Sequence, residues 1–157
     1  MPRDLLVDLG RVDLNAVETS QEAIYSFLPQ RGEFMLLDGI VALNVEERWI
    51  VAYKDIRPDD WWTAGHLPNR PLFPGVLQIE AAAQVVAYFT HVVVGTELFL
   101  GFVGVDKVKF RGAVVPPSRL LFIGRMTDMR PRRTIGTVQA LVDDEIVFEG
   151  TITGMPV

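Results

Sequence analysis

The sequence predicts an α+β domain in which an antiparallel sheet wraps one long central helix. Three observations carry that expectation. Gly75 to Val94 is an apolar run without a breaker, long enough for a 20-residue helix. Four segments after Gly95 are rich in branched and aromatic residues and are separated by turn residues, as antiparallel strands are. A short helix and a hairpin precede the long helix, and no internal repeat interrupts the order. With 157 residues, one compact core is the default.

Residues 1–18 show no sustained period and are expected to form a loosely attached extension with little chemistry, so the division is an extension over 1–20 and a single domain over 21–157. Thr19 with Glu22 matches a capping box, and Ala23, Ile24, Phe27 and Leu28 follow at helical spacing until Pro29, which predicts a helix over 20–28. Met35–Leu43 and Arg48–Ile56 read as strands of a hairpin joined at Asn44–Glu47. Residues 59–74 form a loop punctuated by Gly65, Pro68, Pro71 and Pro74, and long irregular segments inside a compact domain tend to be functional. Pro74 suits the first turn of the helix that follows, which spans about 30 Å at 1.5 Å per residue. Strands are then expected over Leu98–Phe110, Arg119–Met129, Thr134–Asp143 and Glu145–Thr153, with turns at Arg130–Arg133 and Asp143-Asp144. Val108 and Phe110 alternate with Lys107, Lys109 and Arg111, which predicts one apolar and one cationic strand face.

Composition narrows the function classes. Apolar residues are 49% of the chain and aromatics 10%, which excludes a disordered polypeptide. The absence of cysteine excludes disulfides, thiolate metal sites and cysteine nucleophiles, and suits a cytoplasmic location. The uncharged stretch Ala81–Thr96 falls short of the roughly 20 residues of a bilayer span, so it reads as a buried helix with no membrane insertion. Arg3, Asp4, Asp8, Arg11 and Asp13 stand where a signal peptide needs apolar residues. The net charge of −5 conceals a segment, Lys107–Arg133, with eight basic residues and one acidic one. Such a segment attracts an acidic partner or is an ordinary solvated face; with an acidic chain overall, nucleic-acid binding is not expected.

Candidate chemistry concentrates around the long helix. Glu80, Gln84, Tyr88 and His91 form a polar stripe on one face of an otherwise apolar helix, where the alternative is a plain solvent face. His66 lies in the loop that feeds the helix N-terminus, and the free amides of Gly75 and Val76 can polarise a carbonyl oxygen there. An imidazole, a carboxyl and an amide donor site would then be neighbours. His91 reads as a packing or interface residue.

The run Gly65-His66-Leu67-Pro68-Asn69-Arg70-Pro71-Leu72-Phe73-Pro74-Gly75-Val76-Leu77-Gln78-Ile79-Glu80-Ala81-Ala82-Ala83-Gln84 resembles the signature of the beta-hydroxyacyl-[acyl carrier protein] dehydratases of bacterial type II fatty acid synthesis. Leu28-Pro29-Gln30-Arg31 through Phe34-Met35-Leu36-Leu37-Asp38 resembles that family's opening segment, and Gly104–Arg111 with Val114–Pro117 its later strand and turn. The likeness covers about residues 22–153.

The resemblance implies a hotdog fold and a homodimer with active sites at the subunit interface, open to assembly as a trimer of dimers. It implies His66 and Glu80, from opposite subunits, as the catalytic pair; Gly75 and Val76 as donors to the thioester oxygen; Pro74 and Gln84 as supports; and no cofactor or metal. Glutamate at position 80 resembles the plain dehydratase branch, so no isomerase activity is expected. Neutral His66 suits removal of the proton beside the carbonyl, and Glu80, set among Leu77, Ala81 and Ala83, suits protonation of the departing hydroxyl. An acyl carrier protein is the implied partner, and Lys109, Arg111, Arg119, Arg132 and Arg133 are candidate docking cations. Three places depart from the family pattern: Gln30 stands where a histidine is usual, Gly32-Glu33 replaces a more aromatic or proline-containing stretch, and Leu67 replaces a phenylalanine. Trp61 and Trp62 are expected to serve core or dimer packing. Two further readings share the fold: a thioesterase or hydratase acting on acyl thioesters, and a non-catalytic acyl-binding subunit.

Overall fold

The structure, a computed structural model, describes residues 4–95 and 99–157. Seven strands form one antiparallel sheet in the order β1-β2-β3-β5-β6-β7-β4. They are β1 (Thr19–Ser20), β2 (Gly39–Asn44), β3 (Trp49–Ile56), β4 (Leu100–Phe110), β5 (Ser118–Arg130), β6 (Arg133–Val142) and β7 (Glu145–Pro156). The helices are α1 (Gln21–Phe27) and α2 (Gly75–Val94). Leu98, the expected first residue of β4, and Thr96, the end of the expected apolar stretch, lie outside the described residues, as does Arg3.

The start of the first helix is displaced by one residue. Ser20 caps α1 by accepting from the Ala23 N–H at 3.2 Å, while the β-branched Thr19 pairs with Ile40 in the sheet. Met35–Asp38 is not part of the second strand. A 3-10 turn at Gly32–Phe34 precedes it, with Gly32 at φ +62°, and the Leu37 N–H donates to the Tyr25 hydroxyl. The hairpins are tight: Asp143 and Asp144 both take positive φ, as a two-residue turn between twisted strands requires.

α2 has the expected bounds, and Gly95 at φ +90° ends it. Its Ala81, Ala82, Val85, Val86 and Phe89 are buried against Ile50, Ala52, Phe122, Val138 and Phe148 of the sheet. By length and composition this 20-residue helix is apolar enough to cross a membrane, contrary to the shorter stretch counted from Ala81. In the fold it is the core helix. Burial of its middle turns, from Gln78 to His91, explains why nearly every face there is apolar.

Two expectations fail for reasons of packing. The N-terminal extension is not loosely attached: Leu6, Val7, Leu9, Val12 and Leu14 cover Val41, Trp49, Val51, Tyr53, Ile123 and Leu141 on the sheet face turned away from α2. Gln139 fastens it, accepting from the Leu6 N–H at 2.8 Å and donating to the Asp4 carbonyl at 3.1 Å. The strict alternation along β4 fails as well. Bulges fall between Phe102 and Gly104 and between Asp106 and Lys109, with Lys107 at φ +54°. Phe102, Val103, Val105 and Phe110 are exposed on this edge strand, while Val108 is partly buried against the core.

Candidate active site

α2 begins without a side-chain cap. Pro74 occupies the N-cap position, and its carbonyl accepts from Leu77 and Gln78, which leaves the Gly75 and Val76 amides directed out of the first turn. Val76 is 73% exposed, so those donors are accessible to a ligand. Glycine at 75 lets the Phe110 ring approach closely: a Cβ there would lie 2.8 Å from its Cε1, and the ring would have to shift. Phe110 in turn packs on Phe148 with ring centroids 5.7 Å apart.

The preceding loop is anchored by its aromatics. Trp62 and Phe73 are buried in edge-to-face contact at 5.3 Å, the Phe73 N–H donates to the Val114 carbonyl at 2.8 Å, and Lys54 Nζ lies 5.7 Å from the Phe73 ring centroid. The tryptophan expectation is thus met for Trp62 within the core, while Trp61 is exposed. Between the anchors, His66 receives its backbone position from a bond to the Trp62 carbonyl at 2.8 Å. Its Nδ1 is 2.9 Å from the Leu72 carbonyl oxygen. A carbonyl accepts only, so Nδ1 carries a proton, and in the neutral ring the lone pair then lies on Nε2, the arrangement a general base needs.

Glu80 sits one turn and a half further along α2. Its Oε2 accepts from Gln84 Nε2 at 2.9 Å, and the same nitrogen donates to the Phe34 carbonyl at 2.9 Å. Gln84 Oε1 accepts from the Tyr25 hydroxyl at 2.5 Å. Burial raises the Tyr25 pKa far above the ordinary phenol value, which keeps it a donor. The carboxylate opens into a cavity of about 190 Å³ lined by Gln30, Glu80, Gln84, Val86, Phe102 and Ile152, among others. The stripe on α2 is therefore no solvent face: Gln84, Tyr88 and His91 are buried. Tyr88 meets Phe27 edge-on at 5.7 Å, and His91 Nδ1 lies 3.0 Å from the Gly95 carbonyl oxygen, a packing and capping role.

The structure thus gathers Glu80, Gln84 and Gln30 in one cavity, and Pro74, Gly75 and Val76 beside Phe110 at the start of α2. His66 does not line the Glu80 cavity. Tyr25 and the Phe34 carbonyl were not singled out from sequence; the signal available was a lone polar group on the buried face of α1. The candidate docking cations are dispersed. Lys109 and Arg111 flank Phe110, with Arg111 bonded to Glu149 at 2.9 Å. Arg119 pairs with Asp55 at 2.8 Å and stacks over Tyr53 at 4.0 Å. Arg133 pairs with Asp128 at 2.7 Å beside Arg132, at the opposite end of β5 from Arg119, about 40 Å away by strand rise. A larger cavity of about 640 Å³ lies at the other end of α2, between Val93, Val94, Leu100 and Pro131, far along the helix from Glu80.

A sheet wrapped about one buried helix, with a histidine loop leading into that helix and a glutamate upon it, defines a hotdog-fold protein. Solved structures agree on the fold. The dehydratase heterocomplex ApeI:P from Xenorhabdus doucetiae superposes with a TM-score of 0.72 at 14% identity, over 85% of this chain and 90% of that one. A hypothetical thioesterase with coenzyme A from Streptococcus pneumoniae superposes with a TM-score of 0.59 at 11% identity, over 75% and 84%. Residues 28–151 match the FabA-like domain, and the chain belongs to that family. Among its relatives is the 3-hydroxyacyl-[acyl-carrier-protein] dehydratase FabZ of Xanthomonas euvesicatoria, 40% identical over 142 residues, covering 87% of this chain and 90% of the relative. The protein of the same name from Clostridium botulinum is 36% identical over 136 residues, covering 83% and 94%.

Proposed function

We propose that the chain dehydrates (3R)-hydroxyacyl-[acyl carrier protein] to trans-2-enoyl-[acyl carrier protein] in fatty acid or related lipid biosynthesis, as a cytoplasmic homodimer. The observation that carries this reading is the orientation of the Glu80 carboxyl by Gln84 inside a small apolar-walled cavity, in a chain 40% identical to a named dehydratase of this chemistry. His66 Nε2 removes the proton from the carbon beside the thioester carbonyl. The electron pair of that C–H bond forms the new C=C bond, the C–O bond breaks toward oxygen, and Glu80 supplies the proton that makes the leaving group water. The Gly75 and Val76 amides, with the positive end of the α2 dipole behind them, stabilise the charge that builds on the thioester oxygen.

The pairing of His66 with Glu80 across two subunits is supported by the absence of His66 from the lining of the Glu80 cavity of its own chain. The exposed apolar edge of β4 is the surface suited to a second copy. The acyl carrier protein approaches where Lys109 and Arg111 flank Phe110 over Gly75, the mouth nearest the amides. The reading is tested by mass spectrometry of products from a panel of 3-hydroxyacyl carrier-protein thioesters. Loss of water is expected from the wild-type protein and none from folded His66→Ala or Glu80→Gln. Release of free acid and thiol, or near-normal turnover in either variant, overturns it.

A further inference from the structure

The Glu80 cavity contains an acceptor that nothing among the described residues satisfies. Gln30 lines it, and Gln30 Oε1 is buried with no hydrogen-bond partner among the described residues. The segment is fixed rather than free to turn away, because Arg31 Nη1 donates to the carbonyls of both Leu28 (2.8 Å) and Gln30 (2.7 Å). Gln84 has no capacity to spare for it: Nε2 is shared between Glu80 and Phe34, and Oε1 is taken by Tyr25. The hydrogen bond from Gln84 reaches Glu80 Oε2, and Glu80 Oε1 accepts from no side chain among the described residues. Buried acceptors without donors are rare in folded proteins, and one that lines a cavity has room for a water or a ligand to supply the partner.

We propose that Gln30 is a second anchor for the hydroxyl that leaves. The inference rests on the dehydration reading. In the bound substrate the 3-hydroxyl oxygen accepts the acidic proton of Glu80 while its own hydrogen is donated to Gln30 Oε1. As the C–O bond breaks, its electron pair goes to oxygen and the Glu80 proton is transferred. The water so formed has two O–H bonds, one donated back to the Glu80 carboxylate and the other still held by Gln30. The site then recognises a hydroxyl as both donor and acceptor, and distinguishes the 3-hydroxyacyl substrate from saturated acyl chains of the same length.

The experiment measures dissociation constants of N-acetylcysteamine thioesters in a His66→Ala background, where the hydroxyacyl ligand is not consumed. Gln30→Met, which keeps the shape and loses the carbonyl, is expected to weaken 3-hydroxyacyl binding about tenfold and saturated acyl binding less than twofold. Gln30→His, with a ring nitrogen as acceptor, retains the preference. With Gln30 intact, a 3-oxoacyl thioester, whose oxygen accepts but cannot donate, binds about tenfold more weakly than the 3-hydroxyacyl ligand; this arm stands even if Gln30→Met fails to fold. Equal weakening of both ligands, no weakening of either, or equal binding of oxo and hydroxy ligands overturns the proposal. A wild-type protein that dehydrates no member of the substrate panel overturns the dehydration reading instead.

Discussion

Gln84 Nε2 stands 2.9 Å from Glu80 Oε2 and 2.9 Å from the Phe34 carbonyl oxygen, so one buried amide ties the carboxyl of the core helix to the segment between α1 and β2. The Tyr25 hydroxyl completes the chain by donating to Gln84 Oε1 and accepting from the Leu37 N–H. Gln84→Leu frees the Glu80 side chain and is expected to lower kcat about a hundredfold with KM little changed, as a misplacement of a reacting group by about 1 Å does. Tyr25→Phe leaves two buried groups unpaired and is expected to cost about 2 kcal/mol of stability, read from denaturant melts.

Sites shared between subunits predict complementation. His66→Ala and Glu80→Gln proteins, each inactive, are expected to regain activity when unfolded together and refolded as a mixture. Random pairing makes half the dimers mixed, each with one intact site of two, so about a quarter of wild-type activity returns. No recovery in a mixture shown by native mass spectrometry to contain mixed dimers places both groups in one subunit.

Gly75→Ala sets a helix-favouring residue against a steric conflict. Alanine improves helix propensity by about 1 kcal/mol, yet its Cβ meets the Phe110 ring at 2.8 Å. Phe110 is half exposed, so the ring can yield, and the expected outcome is a thermal midpoint within a few degrees of wild type with activity down tenfold or more. Gly75→Ala with Phe110→Leu is expected to recover part of the loss, measured as kcat/KM on a small thioester.

Charge reversal at Lys109 and Arg111 tests the docking mouth. KM for a carrier-linked substrate is expected to rise several-fold, more at low salt than at high, because the interaction is steered by exposed charge. KM for an N-acetylcysteamine thioester is expected to stay within twofold. Equal effects on both substrates remove the docking role.

Asp38 gives stability an acid dependence of unusual sign. Burial holds its carboxyl above the ordinary 3.8, despite the Asp55 N–H bond and the nearby Lys54 and Arg57 charges. The folded chain therefore keeps this proton at a pH where the unfolded chain has released it. The contribution is fully present below 3.8 and is lost as pH rises through the folded value. The Tm advantage of wild type over Asp38→Asn is expected to be larger at pH 4 than at pH 7; an advantage that grows with pH contradicts the assignment.

Much of this fold was legible because the signals were local. The α2 bounds follow from Pro74, Gly95 and the absence of a breaker between them, and the β6–β7 turn follows from Asp143-Asp144. What failed to show was tertiary. Leu6, Val7, Leu9 and Val12 lack a period because they lie across a sheet made by distant strands, and their partners Trp49, Val51 and Tyr53 are unrecognisable from the N-terminal sequence. The β4 alternation misled because a bulge at Lys107 depends on what β7 presents opposite it. His66, Gly75 and Glu80 stood out through composition and motif, whereas Tyr25 and Phe34 act on Glu80 only through folding.

The two margins of the sheet are unequal. At one end β1 offers two residues, too few to template a further strand, and at the other β4 offers eleven. The outer face is already occupied by the chain's own N-terminal segment. Strand addition thus has one usable seam, and a two-fold pairing along it consumes the seam in both molecules at once. Were two copies to pair there, growth by edge pairing would halt at two, and a protein with so many exposed aromatic side chains would not run on into a fibre.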